Sequence, residues 1–143
     1  MTRDVIDELL GIEPGSKLDG LRALRPNVRL ATQASEVAIF EGESGLTRTE
    51  RHAVALHVAE LNKDPALAAH HRPKAGDSPR IPVLLAHATM LSKAPDQATP
   101  EAIRTLMAAG LAPRDVVMLS QLIAHVNYEA RLLAGLRLLE AAP

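Results

Sequence analysis

Residues Leu46–His71 read LTRTERHAVALHVAELNKDPALAAHH and contain two helix starts separated by one tight junction. Thr47-Arg48-Thr49-Glu50 is a capping box: the Thr hydroxyl and the Glu carboxylate can each satisfy an end amide of the helix that follows. That helix is expected to run to about Asn62, with Val54, Val58 and Leu61 at i, i+4, i+7 facing a core. Asp64-Pro65 then opens a second helix. The Asp acts as N-cap and the Pro occupies the first turn, where its missing N–H costs nothing. His70 and His71 fall in the second turn.

The same punctuation divides the rest of the chain. Asp4–Leu10 reads as a short amphipathic helix ended by Gly11, and Gly11–Gly20 as an exposed loop. Asn27 is placed to cap a helix to about Phe40, with Val28, Ala31, Ala34 and Ala38 at helical spacing. A polar connection spans Arg72–Ile81, and a helix is expected over Pro82–Lys93. Thr99-Pro100-Glu101 starts another, closed by Gly110. Pro113 to about Glu140 is one periodic run, roughly 40 Å of helix. Leu119, Leu122, Ile123, Val126, Ala130 and Leu133 make its main stripe, while Leu132, Leu136 and Leu139 fall on another side. A helix apolar on two faces is expected to bury the second against a neighbouring subunit. Leu46–Asn62 also lies without a gap on Leu111–Asn127, with Leu46/Leu111, Ala59/Ala124 and Asn62/Asn127 identical. Two capped amphipathic helices match this well by periodicity alone.

Composition bounds the alternatives. A chain of 143 residues is one domain with a real core. Aromatics are only 1%, so Ala, Leu, Val and Ile must build that core, which favours close-packed helices over a sandwich. The expected fold is all-α, a single domain of six or seven helices over 1–143. Residues 1–26 form an N-terminal extension and loop, and 27–143 the helical core. A net charge of −1 gives no electrostatic footprint for nucleic acid or an anionic surface. IPVLLAHATML, the longest apolar run, is too short to span a membrane and is interrupted by His87. The N-terminus lacks the pattern of a secretory signal, and cysteine is absent throughout, which suits a cytoplasmic protein.

The helix, junction and histidine of Leu46–His71 resemble the AhpD-like / carboxymuconolactone decarboxylase family, whose segment reads helix, Asn-Gly, Cys-x-x-Cys, His. DVIDELLGIEPGS, ERHAVALHVAELN and GLAPRDVVMLSQLIAHVNYEARLLAGLRLL look like a cysteine-free subgroup of it. The resemblance places Asp64 at the first cysteine, Leu67 at the second, His71 at the histidine and His52 at the family's glutamate. Asn62 agrees with the pattern and Lys63 departs from its glycine. In the thiol branch a thiolate attacks peroxide and a second cysteine resolves the sulfenic acid. An aspartate and a leucine can do neither, so this chain alone is no thiol peroxidase. The resemblance implies a homo-oligomer, and relatives carrying the cysteines that act beside such a chain.

Histidines remain as acid–base candidates. His71 and His52 are the catalytic candidates; the plain alternatives are a helix-end histidine and a surface or interface one. His57, inside the apolar stripe, reads as a satisfied core or interface residue. Asp64, Arg51 and Asn127 are the ligand-binding candidates. Asp64 already has a sufficient task as N-cap, and Ser120, Asn127 and Arg131 share a stripe that suits an inter-subunit hydrogen-bond network. No metal site is expected: His70 and His71 diverge by roughly 100° on a helix, and His87 and His125 stand isolated. No cofactor is expected either, since phosphate-loop and nucleophile-elbow motifs are absent. The resulting functions are an accessory or small-ligand-binding oligomer, an acid–base enzyme of the decarboxylase type acting on a small carboxylate or lactone, or a purely structural oligomer.

Overall fold

The computed structural model describes residues 3–142, and among them every regular element is helical. Eight α-helices follow one another: α1 (Val5–Leu10), α2 (Lys17–Ala23), α3 (Pro26–Glu41), α4 (Arg48–Leu61), α5 (Pro65–His71), α6 (Ile81–Lys93), α7 (Pro100–Ala108) and α8 (Pro113–Ala141). Short 3-10 turns occupy Arg72–Lys74 and Pro95–Gln97.

The middle helix α4 is the hub, packed on α5, α6 and α8. Its capping box forms as the sequence requires: Glu50 N donates to Thr47 Oγ1 at 3.1 Å and Thr47 N to Glu50 Oε1 at 3.0 Å. Asp64 caps α5 by accepting from Leu67 N at 3.0 Å. At the start of α8, Asp115 accepts from Ala112 N at 3.0 Å and Gly45 N at 2.8 Å, which ties the loop before α4 to the long helix. A side chain at position 45 would put its Cβ 2.6 Å from that carboxylate, so only glycine fits.

Burial corrects three expectations. Gly11–Gly20 is not wholly loop: Ser16 caps α2, and Leu18 enters the core. Asn27 does not cap α3, which begins at Pro26 with Arg25 as a cap that makes no side-chain bond. The inward face of α3 is Thr32, Glu36, Ile39 and Phe40, whereas Val28, Ala31, Ala34 and Ala38 face outward. Thr32 and Glu36 therefore point in beside Ile39 and Phe40, and the small apolar residues point out.

The buried surface of α4 is also broader than one stripe. Val54 and Val58 are buried as expected, but so are Arg51, Ala55 and Ala59, while Leu61 is half-buried. On α8 the main stripe is buried throughout. Leu136 is also inside, Leu132 is half-buried and Leu139 is exposed. No single helix among the described residues is long and apolar enough to cross a membrane.

Candidate functional site

His52, at the start of the second turn of α4, and His71, the last residue of α5, meet because the two helices form a hairpin. Their Nδ1 atoms lie 3.0 Å apart. A bond between like ring nitrogens needs one donor and one acceptor, so the two rings are opposite tautomers. Phe40 of α3, one of only two aromatic residues besides the histidines, stacks on His52 at 4.7 Å between ring centroids with an interplanar angle of 16°. Its ring also lies 5.1 Å from that of His71.

His71 is 0% exposed, and its Nε2 has no hydrogen-bond partner among the described residues. A stranded N–H donor is the costlier error in a protein interior. The favourable arrangement therefore has His71 donating from Nδ1 to His52 and keeping a bare lone pair on Nε2. Both rings are held neutral. Burial, reinforced by nearby Lys74 and the other histidines, pushes His52 down to about 4 and His71 down to about 2. Leu67, one turn before His71, is itself 0% exposed.

A cleft of about 330 Å³ opens over His52, lined among others by Gln33, Glu36, Arg48, His52, His70 and Lys74. Its walls come from α1, α3, α4 and the end of α5, and they carry charges of both signs.

The three ligand-binding candidates lie elsewhere in their contacts. Arg51 is buried and donates to four backbone carbonyls: Leu46, Ile39, Phe40 and Gly42, the last at 2.7 Å. Its guanidinium clamps the α3–α4 loop. Asp64 stands at the far end of α5 from His71, roughly 10 Å along the helix by its rise. Both its oxygens accept from Arg137 of α8, at 2.8 and 3.2 Å. Burial alone would raise the Asp64 carboxyl, but Arg137 and the Leu67 amide outweigh it and hold it below the usual range.

Asn127 is saturated by an intrachain network. It donates to Ser92 Oγ and Ile123 O, each at 2.9 Å, and accepts from Asn62 at 2.9 Å and Arg131 at 3.1 Å. Asn62 and Asn127, the matched asparagines of the internal echo, thus bond directly. Ser120 takes no part, its hydroxyl donating to Val116 O. His57 is satisfied by Thr89 Oγ1 at 2.7 Å.

His125 is not isolated, contrary to the sequence expectation. Its Nε2 lies 2.8 Å from Glu36 Oε2 and 3.4 Å from Glu129 Oε1, and all three residues are buried. Burial lowers the affinity of His125 for its proton, but the two carboxylates prevail and carry it up to about 9. Glu129 is displaced upward, first by burial and also by Glu36. The spacing of His125 and Glu129 at i, i+4 was readable in the sequence; that Glu36, 89 residues away, completes the cluster was not.

This arrangement of helices is found in other proteins. It superposes on a peroxidase-related protein of uncharacterised function from Silicibacter sp. TM1040 with a TM-score of 0.66 and 22% identity, over 92% of this chain and 78% of that one. An uncharacterised peroxidase-related protein from Ralstonia eutropha JMP134, described as an alkylhydroperoxidase AhpD core, gives a TM-score of 0.67 at 18% identity, over 93% of this chain and 83% of that one. No protein-family model and no curated protein matches the sequence. The fold is therefore that of the AhpD core, in a chain that contains no cysteine.

Proposed function

We propose that this chain is a thiol-independent relative of the AhpD-like / carboxymuconolactone decarboxylase family that binds a small polar ligand in the cleft over His52. The carrying observation is the His52–His71 pair itself. A fully buried histidine hydrogen-bonded to a half-buried one links the interior to a cleft that has cations, acids and ring nitrogens in its wall. Arg48 and Lys74 supply partners for a carboxylate, while Glu36 and Gln33 supply acceptors for hydroxyl or amine groups. Asp64, Arg51 and Asn127 support the site by fixing α5, the α3–α4 loop and α8, instead of touching the ligand.

Such a protein acts as a homo-oligomer in the cytoplasm, as an accessory subunit beside a cysteine-bearing relative. Leu67 closes the position at which redox chemistry would otherwise occur. Ligand-observed NMR with a panel of small carboxylic acids, amino acids and lactones tests the binding. Compounds that bind the native protein should lose their signal with H52A and with K74A. Binding indifferent to both substitutions, or none across the panel, would overturn the assignment.

One observation favours a second reading, acid–base catalysis on a small carboxylate or lactone. Both rings are neutral near pH 7, and in the alternative tautomer, with His52 Nδ1 donating to His71, His52 has a free Nε2 lone pair that can take up a substrate proton. Lactone or carboxylate turnover that disappears in both H52Q and H71Q would establish it. Turnover that survives either change would exclude it.

A further inference from the structure

We propose that Glu36, His125 and Glu129 form a three-ligand site for a divalent first-row transition-metal cation. His125 and Glu129 project from one face of α8, one turn apart, and Glu36 faces them from α3. One ligand atom from each, an imidazole nitrogen and two carboxylate oxygens, lies within 4.8 Å of the other two. Two of these separations are 2.8 and 3.4 Å. Metal–ligand distances near 2.0–2.2 Å in tetrahedral geometry require ligands about 3.3 Å apart, so a cation needs a slight opening of the Glu36–His125 contact and the Glu36 and Glu129 oxygens, within 4.8 Å, at a similar spacing.

The decisive feature is Glu129. Its side chain is 0% exposed, and neither carboxylate oxygen has a hydrogen-bond partner among the described residues. The 3.4 Å approach to His125 Nε2 directs Oε1 into the cluster without hydrogen-bond alignment. A buried carboxylate with one long ion-pair contact and no hydrogen bond is expensive, and buried charges persist where they are paired or bind metal. Once His125 has released its proton to solvent on binding, two carboxylates and a neutral imidazole would cancel the charge of a divalent ion, leaving a neutral buried centre. One nitrogen and two oxygens suit Zn, Fe(II), Co(II) or Mn(II) better than the all-oxygen sets of Ca or Mg.

Three protein ligands leave a fourth position open, the pattern of sites that bind an exchangeable group. Access exists from two sides. His125 lines a groove of about 770 Å³ together with Thr32 and Tyr128, whose hydroxyls lie 3.0 Å apart. Glu36 lines the cleft over His52. The metal centre thus sits directly behind the proposed ligand cleft and shares Glu36 with it, while neither His52 nor His71 is a metal ligand.

Co(II) is the probe. Metal-free protein titrated with Co(II) should develop visible d–d absorption saturating at one equivalent, and Zn(II) should displace it. E129Q keeps the shape of the side chain and removes its charge; it should weaken Co(II) binding by more than about tenfold, as should H125Q. Circular dichroism verifies that each variant remains helical, and E36Q supplies a third test should either fail to fold. Zn(II) should also raise the melting temperature of the native protein and not that of E129Q. Native protein that gives neither absorption nor a thermal shift with Co(II), Zn(II), Fe(II) or Mn(II) overturns the proposal, as does binding unaffected by E129Q and E36Q. Loss of ligand binding in H52A with Co(II) binding intact separates this site from the cleft.

Discussion

His52 and His71 face each other through like atoms, Nδ1 to Nδ1 at 3.0 Å, and only one proton can lie between them. Both folded-state values are depressed, to about 4 and about 2. The unfolded chain therefore binds more protons than the folded one as the pH falls below about 6.5, and stability declines in that direction. Each neutral histidine contributes a slope of up to about 1.4 kcal/mol per pH unit between the unfolded value and its folded one. Between pH 6.5 and 4.5 histidines dominate the loss, offset in part by Glu129, whose raised carboxyl takes up a proton in the folded state first. Melting temperatures from pH 7 to 5 should fall in the native protein and fall less steeply in H71L. Parallel curves would show that His71 does not hold its neutral form.

Arg51 anchors four carbonyls of the α3–α4 connection from inside the protein. Arg51→Met keeps most of the aliphatic stem and strands these acceptors, at a cost of about 3 kcal/mol or more in urea unfolding. Arg51→Lys should recover only part of this, because an ammonium cannot span the same set of acceptors. A ligand-binding Arg51 would behave in the opposite way, with affinity falling and the urea midpoint unchanged.

Glu50 is 1% exposed and has two tasks, closing the capping box and accepting from Arg80 at 2.5 and 3.0 Å. Burial works against the carboxylate, but Arg80, the Thr47 amide and Ser78 bring it down to about 2. Its folded value is below its unfolded one, so its contribution is present above about pH 4.5 and vanishes as the pH falls towards 2. Glu50→Gln leaves Arg80 without its charge partner and should cost about 3 kcal/mol at pH 7 by chemical denaturation. The difference between variant and native protein should shrink as the pH is lowered from 4.5 towards 2. A constant difference would assign the loss to packing.

Helix starts were legible at Thr47 and Asp64, where a local side-chain cap has no adjacent glycine. Thr47–Glu50 and Asp64-Pro65 fix α4 and α5 within a few residues of sequence, and both appear as read. Helix α2 was missed because Gly15 and Gly20 masked the Ser16 cap and the single core residue Leu18. The orientation of α3 is not legible for a different reason. Its alanines follow helical periodicity, but its buried face carries Thr32 and Glu36, and only the distant partners Tyr128 and His125 make that face interior. The same limit applied at Asp64: its capping role is local and readable, whereas the Arg137 pair spans 73 residues. Pairings between helices are set by packing, and no periodicity encodes them.

The outward face of α3 leads to the last expectation. Val28 is 55% exposed, and with Ala31 and Ala38 it borders the groove against α8 that Tyr128 floors. A second recess, whose apolar wall is Leu21, Val28, Leu132, Leu136 and Leu139 beside Arg22, Arg25 and Arg29, continues this surface along α8. Contiguous patches of this kind are rarely left in water by a soluble chain, and the proposed homo-oligomer would cover them with a second copy. Sedimentation velocity should give the native protein a mass above that of one chain. Val28→Glu puts a charge at the junction of the two recesses, without touching the core, and should shift the distribution towards the monomer while far-ultraviolet circular dichroism stays the same. A native protein that sediments as a single chain at micromolar concentration would mean that this face is not the contact between copies.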